Sequence, residues 1–235
     1  MTQIIASLDV DTILREEELL KRLKGTITLY KVGLRLFTAH GKRAVDLVHR
    51  HGGKVFLDLK FHDLPQTVAH AVREAQRLAV HAVSIHLSGG AEMIRAAAEV
   101  EPRPKLWGVT VLTSMLPQDI RMLHPRASIP TTVKNLAHLG WIHGVDGTIC
   151  SGREVAFLRK TLKHLDMRFI TPGIRPAGSS ADDQKRVMTP EEAARLGIDY
   201  IVIGRPITGA PDPLKAAQDM LAAMKHAAPS SLEAE

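Results

Sequence analysis

Apolar and polar positions alternate along this chain in two periods that follow one another in turn. Short apolar runs are separated by longer stretches in which apolar residues recur every three or four positions. The first pattern is typical of buried β-strands and the second of amphipathic α-helices. The short runs predict strands over residues 2–8, 27–32, 53–57, 82–86, 106–112, 144–149, 168–171 and 199–203. The stretches between them predict helices over residues 12–24, 42–51, 68–80, 91–98, 129–139, 153–162, 190–196 and 213–226.

Strands that alternate with helices through the whole chain predict a parallel (β/α)8 TIM barrel. The chain has 235 residues, a length that α/β barrels commonly reach as one domain. We therefore expect a single barrel domain over residues 1–228 and a disordered tail over residues 229–235. A doubly wound sheet is the structural alternative. It is disfavoured because no G-x-G-x-x-G follows the first strand and no G-x-x-x-x-G-K-[ST] is present.

The overall composition is that of an ordinary soluble protein. Hydrophobic residues make up 45% of the chain and charged residues 24%, which is enough apolar material for a core. No apolar run reaches membrane-spanning length, and the N-terminus lacks a basic segment followed by an apolar one. The single cysteine, Cys150, excludes an intramolecular disulfide. A cytoplasmic protein without a membrane partner is therefore expected.

The formal net charge of +6 raises the question of a nucleic-acid partner. Lysine and arginine are dispersed along the chain, however, and only 4% of residues are aromatic, which leaves few platforms for stacking bases. We therefore expect no nucleic-acid partner. The excess positive charge fits an anionic small-molecule substrate better.

The predicted third strand runs into the sequence D-L-K-F-H-D-L-P-Q-T, which carries the densest charge next to a strand. Because side chains alternate along a strand, Phe56, Asp58 and Lys60 are predicted to share one face. A charged pair on the inner face of a buried strand is costly and usually has a task. Asp63, taken alone, is interpreted more simply as the N-cap of the following helix.

The other candidate residues come at the ends of predicted strands, where barrel enzymes place their chemistry. These strand-end polar residues are Asp9, Lys31, Asp58, Lys60, Thr113 and Arg205. Gly204 and Arg205 end strand eight, where barrels commonly hold a phosphate group, and a glycine amide with an arginine fork suits that anion. The polar loop over residues 172–188 is interpreted as a binding loop. His62 and His86 lie near strand ends, but no spacing of ligands predicts a metal site.

Taken together, Asp58-x-Lys60-x-x-Asp63 with Pro65 and Thr67 closely resembles the signature of the orotidine monophosphate decarboxylase family. The resemblance covers nearly the whole chain in the same order and spacing, through Asp9 and residues 31–33, 113, 171–175, 183–188 and 204–207. It implies a barrel enzyme that converts orotidine monophosphate to UMP without a metal or cofactor. It also implies a homodimer.

The resemblance further implies a role for each candidate residue. Lys60 would protonate C6 of the pyrimidine, with Asp58 and Asp63 as the other catalytic residues. Asp9 and Lys31 would hold the ribose hydroxyls, and Thr113 the pyrimidine. The remaining residues implied to bind substrate are Thr67, Arg175, Gln184, Gly204 and Arg205, the last four at the phosphate. Asp63 and Thr67 would reach across to the partner subunit's site.

Two other functions remain open at this point. A sister group of barrel enzymes, similar to ketogulonate-phosphate decarboxylase and hexulose-phosphate synthase, shares the D-x-K-x-x-D core but binds magnesium through an acidic residue at the end of strand two. This chain has Lys31 there, and a lysine repels magnesium rather than binding it. The third possibility is a nucleotide or nucleic-acid binder without catalysis, which is disfavoured because the charged core suits chemistry.

Overall fold

The computed structural model describes residues 2–176 and 188–227, and within them the strands form one closed parallel barrel. The strands are β1 (Gln3–Ser7), β2 (Leu29–Gly33), β3 (Lys54–Phe61), β4 (Ala82–His86), β5 (Lys105–Val109), β6 (Gly147–Ile149), β7 (Phe169–Thr171) and β8 (Tyr200–Ile203). Each strand pairs with the next, and β8 closes the barrel against β1 with Ile201 beside Ile4. The predicted TIM barrel is confirmed, and the doubly wound alternative is wrong. The predicted tail, residues 229–235, lies outside the described residues.

Helices follow the strands around the outside of the barrel. They are α1 (Ile13–Leu23), α2 (Leu34–His40), α3 (Lys42–Arg50), α4 (Pro65–Arg77), α5 (Gly90–Ala98), α6 (Pro117–Leu123), α7 (Ile129–Ile142), α8 (Gly152–Thr161), α9 (Pro190–Arg195), α10 (Arg205–Thr208) and α11 (Pro213–Ala227). The helices α2, α6 and α10 were not predicted from the sequence, because two turns or fewer are too short for a helical period to stand out. In the described ranges, no helix is both long enough and apolar enough to cross a bilayer.

The helices α1 and α4 begin near the site, and different kinds of residue occupy their N-cap positions. Thr12 accepts a hydrogen bond from the backbone N–H of Arg15 at 3.2 Å and so caps α1. The N-cap interpretation of Asp63 is wrong, because Leu64 occupies the N-cap position of α4. The Asp63 carboxylate instead accepts the N–H of Leu64 at 2.6 Å. Asp63 therefore ends the loop that leads into the helix.

The barrel interior is filled by apolar side chains below the strand ends. This inner cluster consists of Ile5, Leu29, Phe56, Ala82, Trp107, Ile170, Tyr200 and Val202. The Trp107 ring lies 4.5 Å from the Phe56 ring and 5.1 Å from the Tyr200 ring, within the range of favourable aromatic contacts. The remaining core packs between the strands and the helices. The side chains of the inner cluster therefore close the interior of the barrel below the strand ends to a ligand.

One buried charge-bearing group lies away from that end of the barrel. Glu16 on α1 is fully buried, and neither carboxyl oxygen has a hydrogen-bond partner within the described part of the chain. Burial raises its pKa from the usual 4.5 to about 8, against a smaller lowering by the charge of Arg50. Because the pKa is higher in the folded state, this carboxyl favours folding most below pH 4.5, and that contribution is lost as the pH rises towards 8.

Replacing Glu16 with glutamine should therefore stabilise the protein at alkaline pH. We expect wild type and Glu16→Gln to unfold at similar urea concentrations at pH 4, where the Glu16 carboxyl is mostly protonated in both the folded and the unfolded state. At pH 9 the variant should be more stable by a few kcal/mol, on the order expected for a shift of this size. Urea unfolding at both pH values checks this, and a stability difference that does not change with pH would contradict it.

Candidate active site

A cavity of about 480 Å³ opens at the carboxyl ends of the barrel strands. Its lining includes most of the candidate residues from the sequence: Asp9, Lys31, Asp58, Lys60, Thr113, Arg175, Gly204 and Arg205. The rest of the lining is Ser7, Arg35, Phe56, Val109, Val111, Leu112, Ile149, Cys150, Ile170, Pro172, Gly173, Val202 and Thr208. This is the end at which TIM-barrel enzymes carry their active sites.

Four charged side chains of alternating sign lie in a row along one wall of the cavity. The Lys60 ammonium lies 2.9 Å from both carboxylate oxygens of Asp58. The Lys31 ammonium lies 3.7 Å from Asp58 and 2.9 Å from Asp9. The predicted proximity of Asp58 and Lys60 is confirmed, and we call these four residues the charged row. An alternating row keeps each charge beside an opposite one and so lowers the cost of burying them.

The ionisation of Asp58 depends on this row. Burial alone raises the pKa of its carboxyl group, which is only 8% exposed. The positive charges of Lys31 and Lys60, with hydrogen bonds from Lys60 and Ser84, outweigh burial and hold the pKa below its usual value. Asp58 is therefore a carboxylate at neutral pH, with the ammonium groups of Lys31 and Lys60 beside it.

The local backbone explains how Lys60 comes to face Asp58. The register between β3 and β4 shifts between Leu57 and Phe61, and Lys60 has a φ of 53°, in the left-handed region. A non-glycine residue is uncommon there and is strained unless its surroundings hold it. Strand irregularities of this kind re-aim side chains next to active sites. Phe56, Asp58 and Lys60 all line the cavity, as strand alternation predicted.

Gly33, at the end of β2, makes room for part of the charged row. A Cβ atom at this position would lie 2.7 Å from the Lys31 ammonium and 3.2 Å from the Asp9 carboxylate. A side chain there would therefore push the Lys31–Asp9 pair apart. The glycine two residues after Lys31 therefore leaves the Lys31–Asp9 pair undisturbed.

The other side of the cavity carries the remaining cationic and polar candidates. Arg175 is mostly buried, and its backbone N–H bonds to the carbonyl of Met188 at 2.9 Å. This bond joins the two ends of the long loop predicted over residues 172–188. Thr113 lies in the loop after β5 and not at the strand's end as predicted, because β5 stops at Val109. Two arginines and a glycine backbone on one side of the cavity suit an anionic group.

Two candidate residues are not brought into this cavity, and the position of a third is not described. Asp63 and Thr67 are exposed and do not line the cavity of their own subunit. Gln184 lies outside the described residues. Their roles stay predictions.

The histidines near the strand ends contact each other. The rings of His62 and His86 lie 5.3 Å apart. Burial, with the charges of His62 and Lys60, lowers the pKa of His86, so it is neutral at physiological pH. Residues 2–176 and 188–227 contain no group of three or more histidine, cysteine or acidic side chains arranged to hold a metal ion.

Polar residues of the site that were not predicted from the sequence include Ser7, Arg35 and Ser84. Ser7 donates a hydrogen bond to Asp9 at 2.5 Å, and Arg35 at the cavity mouth contacts both oxygens of Asp11 at 2.6 Å. Ser84, on β4, donates a hydrogen bond to Asp58 at 2.8 Å. For Ser7 and Ser84 a signal was present, because each is a lone hydroxyl in an apolar strand. Arg35 offered none, since an arginine on an exposed helix is ordinary.

Known proteins are similar to this chain over nearly its whole length. The family model described as "Orotidine 5'-phosphate decarboxylase / HUMPS family" matches residues 2–220. The orotidine 5'-phosphate decarboxylase of Saccharophagus degradans is 43% identical over 229 residues, which cover 96% of each chain. That of Pelobacter propionicus is 43% identical over 220 residues, or 91% of each. The crystal structure of the Lactobacillus acidophilus enzyme of that name has a TM-score of 0.82 at 33% identity and covers 94% of this chain and 98% of its own. This chain therefore belongs to the orotidine 5'-phosphate decarboxylase / HUMPS family.

Proposed function

We propose that this protein decarboxylates orotidine 5'-monophosphate to UMP, the last step of pyrimidine nucleotide synthesis. The observation that carries the proposal is the charged row Asp9–Lys31–Asp58–Lys60 on one wall of the cavity. It is supported by the names of the relatives and by the cationic residues on the other side of the same cavity. A substrate with a phosphate at one end and a carboxylate at the other fits such a site.

In the proposed complex, the two ends of the substrate lie at different sides of the cavity. The phosphate lies beside Arg175, Arg205 and the Gly204 backbone, with Gln184 as a further contact. The ribose hydroxyls lie beside Asp9 and Lys31, and the pyrimidine lies beside Thr113. This arrangement directs the carboxylate and C6 of the ring towards Asp58 and Lys60.

The proposed reaction is completed by one proton transfer. The bond between C6 and the carboxylate breaks, carbon dioxide leaves, and the electron pair of that bond remains on C6. Lys60 then gives a proton from its ammonium group to C6 and is left as a neutral amine. Asp58, with both carboxylate oxygens 2.9 Å from the ammonium, orients the proton donor.

Repulsion between Asp58 and the substrate carboxylate cannot supply the whole rate enhancement. Two negative charges at ~4 Å repel by about 4 kcal/mol at an effective dielectric constant near 20. Enzymes commonly lower barriers by about 8–23 kcal/mol. The larger part must come from contacts that strengthen as the carbanion forms, and the preorganised ammonium of Lys60 provides such a contact. Binding energy from the phosphate, away from C6, can also be used to lower the barrier at the reacting carbon.

We propose that the reaction needs no metal. The alternative within this family is the sister group of enzymes that bind magnesium. Those enzymes use an acidic residue at the end of strand two as a magnesium ligand, and the corresponding strand here is β2. Lys31 lies there with its ammonium 2.9 Å from Asp9 and 3.7 Å from Asp58. A cation fixed between the two carboxylates takes the place that a divalent ion would otherwise have, and it would repel that ion.

An absorbance assay with orotidine 5'-monophosphate tests the function directly. We expect the absorbance of the substrate to fall on addition of the protein, at the same rate with and without a chelator. A protein that leaves the substrate unchanged would contradict the proposed function. Turnover that stops with the chelator would favour the metal-dependent alternative.

Replacing Arg205 with alanine should chiefly raise the KM, with some loss of kcat. Charge-assisted hydrogen bonds contribute roughly 1.5–3 kcal/mol, so the KM should rise about ten- to hundredfold. Arg205→Lys keeps the charge but loses the planar guanidinium group, so its KM should lie between those of Arg205→Ala and wild type. Steady-state kinetics measure both. An unchanged kcat/KM in Arg205→Ala would show that the phosphate binds elsewhere.

We also propose a two-fold homodimer in which Asp63 and Thr67 serve the partner's site. In support, both residues are exposed, neither lines the cavity of its own subunit, and Leu64 beside Asp63 is a 72% exposed hydrophobic residue.

A cytoplasmic location is likewise proposed, and it rests on the single buried cysteine and on the proposed place in nucleotide synthesis.

A further inference from the structure

One hydroxyl group on β4 contacts both members of the Asp58–Lys60 pair. Ser84 is fully buried, and its hydroxyl donates a hydrogen bond to Asp58 Oδ1 at 2.8 Å. The Ser84 hydroxyl oxygen in turn accepts a hydrogen bond from the backbone N–H of Lys60 at 2.9 Å. Because the Lys60 ammonium contacts the Asp58 carboxylate in turn, the three residues form a closed ring of hydrogen bonds.

This ring forms where the β-sheet ladder is interrupted. The pairing of β3 with β4 shifts between Leu57 and Phe61, so the N–H of Lys60 bonds to a side chain rather than to a strand carbonyl. Lys60 also has the left-handed φ of 53°, which a lysine adopts only when its surroundings hold it there. Ser84 supplies a contact that holds that backbone, and it holds the carboxylate facing the ammonium at the same time.

We propose that Ser84 is a positioning residue for decarboxylation, fixing the Lys60 backbone and the Asp58 carboxylate in the geometry that delivers the proton to C6. The inference rests on the function proposed above. Ser84 does not line the cavity and so acts through Asp58 and Lys60 and not on the substrate. Small displacements of a proton donor lower the rate while leaving remote binding contacts intact.

A purely structural role for Ser84 would give different kinetics. Loss of a buried hydroxyl alone would lower thermal stability and leave the catalytic parameters of the folded enzyme unchanged. A positioning role predicts a lower kcat with little change in KM, since the phosphate contacts lie elsewhere in the cavity. It also predicts a shift in the pH profile. The hydrogen bond from Ser84 lowers the pKa of Asp58, so without it the acidic limb of kcat should move to higher pH.

The test compares Ser84→Ala, Ser84→Cys and a matched control, Ser151→Ala. Ser151 is also fully buried and its hydroxyl also accepts a backbone N–H, that of Arg153 at 3.4 Å, but it has no contact with Asp58 or Lys60 among its hydrogen bonds in the described chain. For each variant we would measure kcat, KM for orotidine 5'-monophosphate, the pH dependence of kcat and the melting temperature.

We expect Ser84→Ala to lose roughly ten- to hundredfold in kcat, with the acidic limb moved upward, because a displaced reacting group costs on that order. Ser84→Cys keeps a side chain of similar size but weakens both hydrogen bonds. Its kcat and its acidic limb should therefore shift in the same direction as those of Ser84→Ala, but by less. It also replaces Ser84→Ala as the test if that variant fails to fold. Ser151→Ala should lower only the melting temperature.

The results that would contradict the decarboxylase function differ from those that would contradict the role of Ser84. If wild type leaves orotidine 5'-monophosphate unchanged, the proposed function is wrong and the role of Ser84 falls with it. If wild type is active but the folded Ser84 variants keep its kcat and pH profile, the decarboxylase function stands and Ser84 is only structural. If Ser151→Ala reproduces the loss of kcat and the pH shift, the effect is not specific to the Asp58–Lys60 pair and the inference is overturned.

Discussion

Replacing Lys60 with alanine should abolish decarboxylation while leaving nucleotide binding measurable. The proton donor acts chiefly in the transition state, whereas the phosphate contacts at the other side of the cavity are also made in the ground state. General acid catalysis typically contributes ~10²–10⁴-fold, and the same ammonium also stabilises the carbanion, so we expect the loss of kcat to reach or exceed this range.

The Lys60→Ala variant should remain folded, because loss of the Lys60 ammonium does not leave Asp58 without partners. The carboxylate keeps the hydrogen bond from Ser84 at 2.8 Å and the Lys31 ammonium at 3.7 Å. The measurement is single-turnover decarboxylation together with calorimetric titration of UMP. Lys54→Ala is the matched control, since Lys54 is an exposed lysine at the opposite end of β3. Near-normal kcat in Lys60→Ala would show that another group donates the proton.

The barrel could be predicted from the sequence because its signal repeats. Each strand is a short apolar run and most of the longer helices show a helical period, so an error at one boundary does not change the topology. The boundaries themselves were less certain. The predicted fifth strand continued to residue 112, but Val111 and Leu112 belong to the loop beyond β5 and are apolar because they line the cavity.

The charged residues of the site could be predicted because charge at the end of a buried strand is rarely accidental. Asp58, Lys60 and Lys31 met that description, and the structure brings them together. The lone hydroxyl of Ser84 in an apolar strand was a signal in the sequence, but its hydrogen bonds to Asp58 and Lys60 could not be predicted, since they depend on an interruption of the β3–β4 ladder. No periodicity in a single sequence shows where two strands, 26 residues apart at Asp58 and Ser84, lose their register.

The second prediction concerns the proposed sharing of the site between two subunits. Lys60→Ala and Asp63→Ala homodimers should each be severely impaired at both sites if Asp63 serves the neighbour's Lys60. A hybrid of the two chains would then have both lesions in one site. Its other site would combine an intact Lys60 from one chain with an intact Asp63 from the other. The hybrid should therefore be active at one site.

Mixing the two inactive variants should consequently restore activity. After an equal mixture is unfolded and refolded, about half of the dimers should be hybrids, each with one intact site, so activity should reach about a quarter of wild type by two-fold symmetry. Refolded wild type provides the reference for the yield of refolding. Differently tagged chains, purified through both tags in turn, isolate the hybrid and confirm its presence.

The alternative is that Asp63 acts within its own subunit. Asp63 accepts a hydrogen bond from Leu64 at the start of α4, and this contact alone would make Asp63→Ala a local change in the loop. Every site of the hybrid would then contain one lesion, either at Lys60 or at Asp63, and mixing would restore nothing. Purified hybrids that remain inactive while refolded wild type regains its activity would reject the shared site and leave Asp63 as a residue that orders the loop before α4.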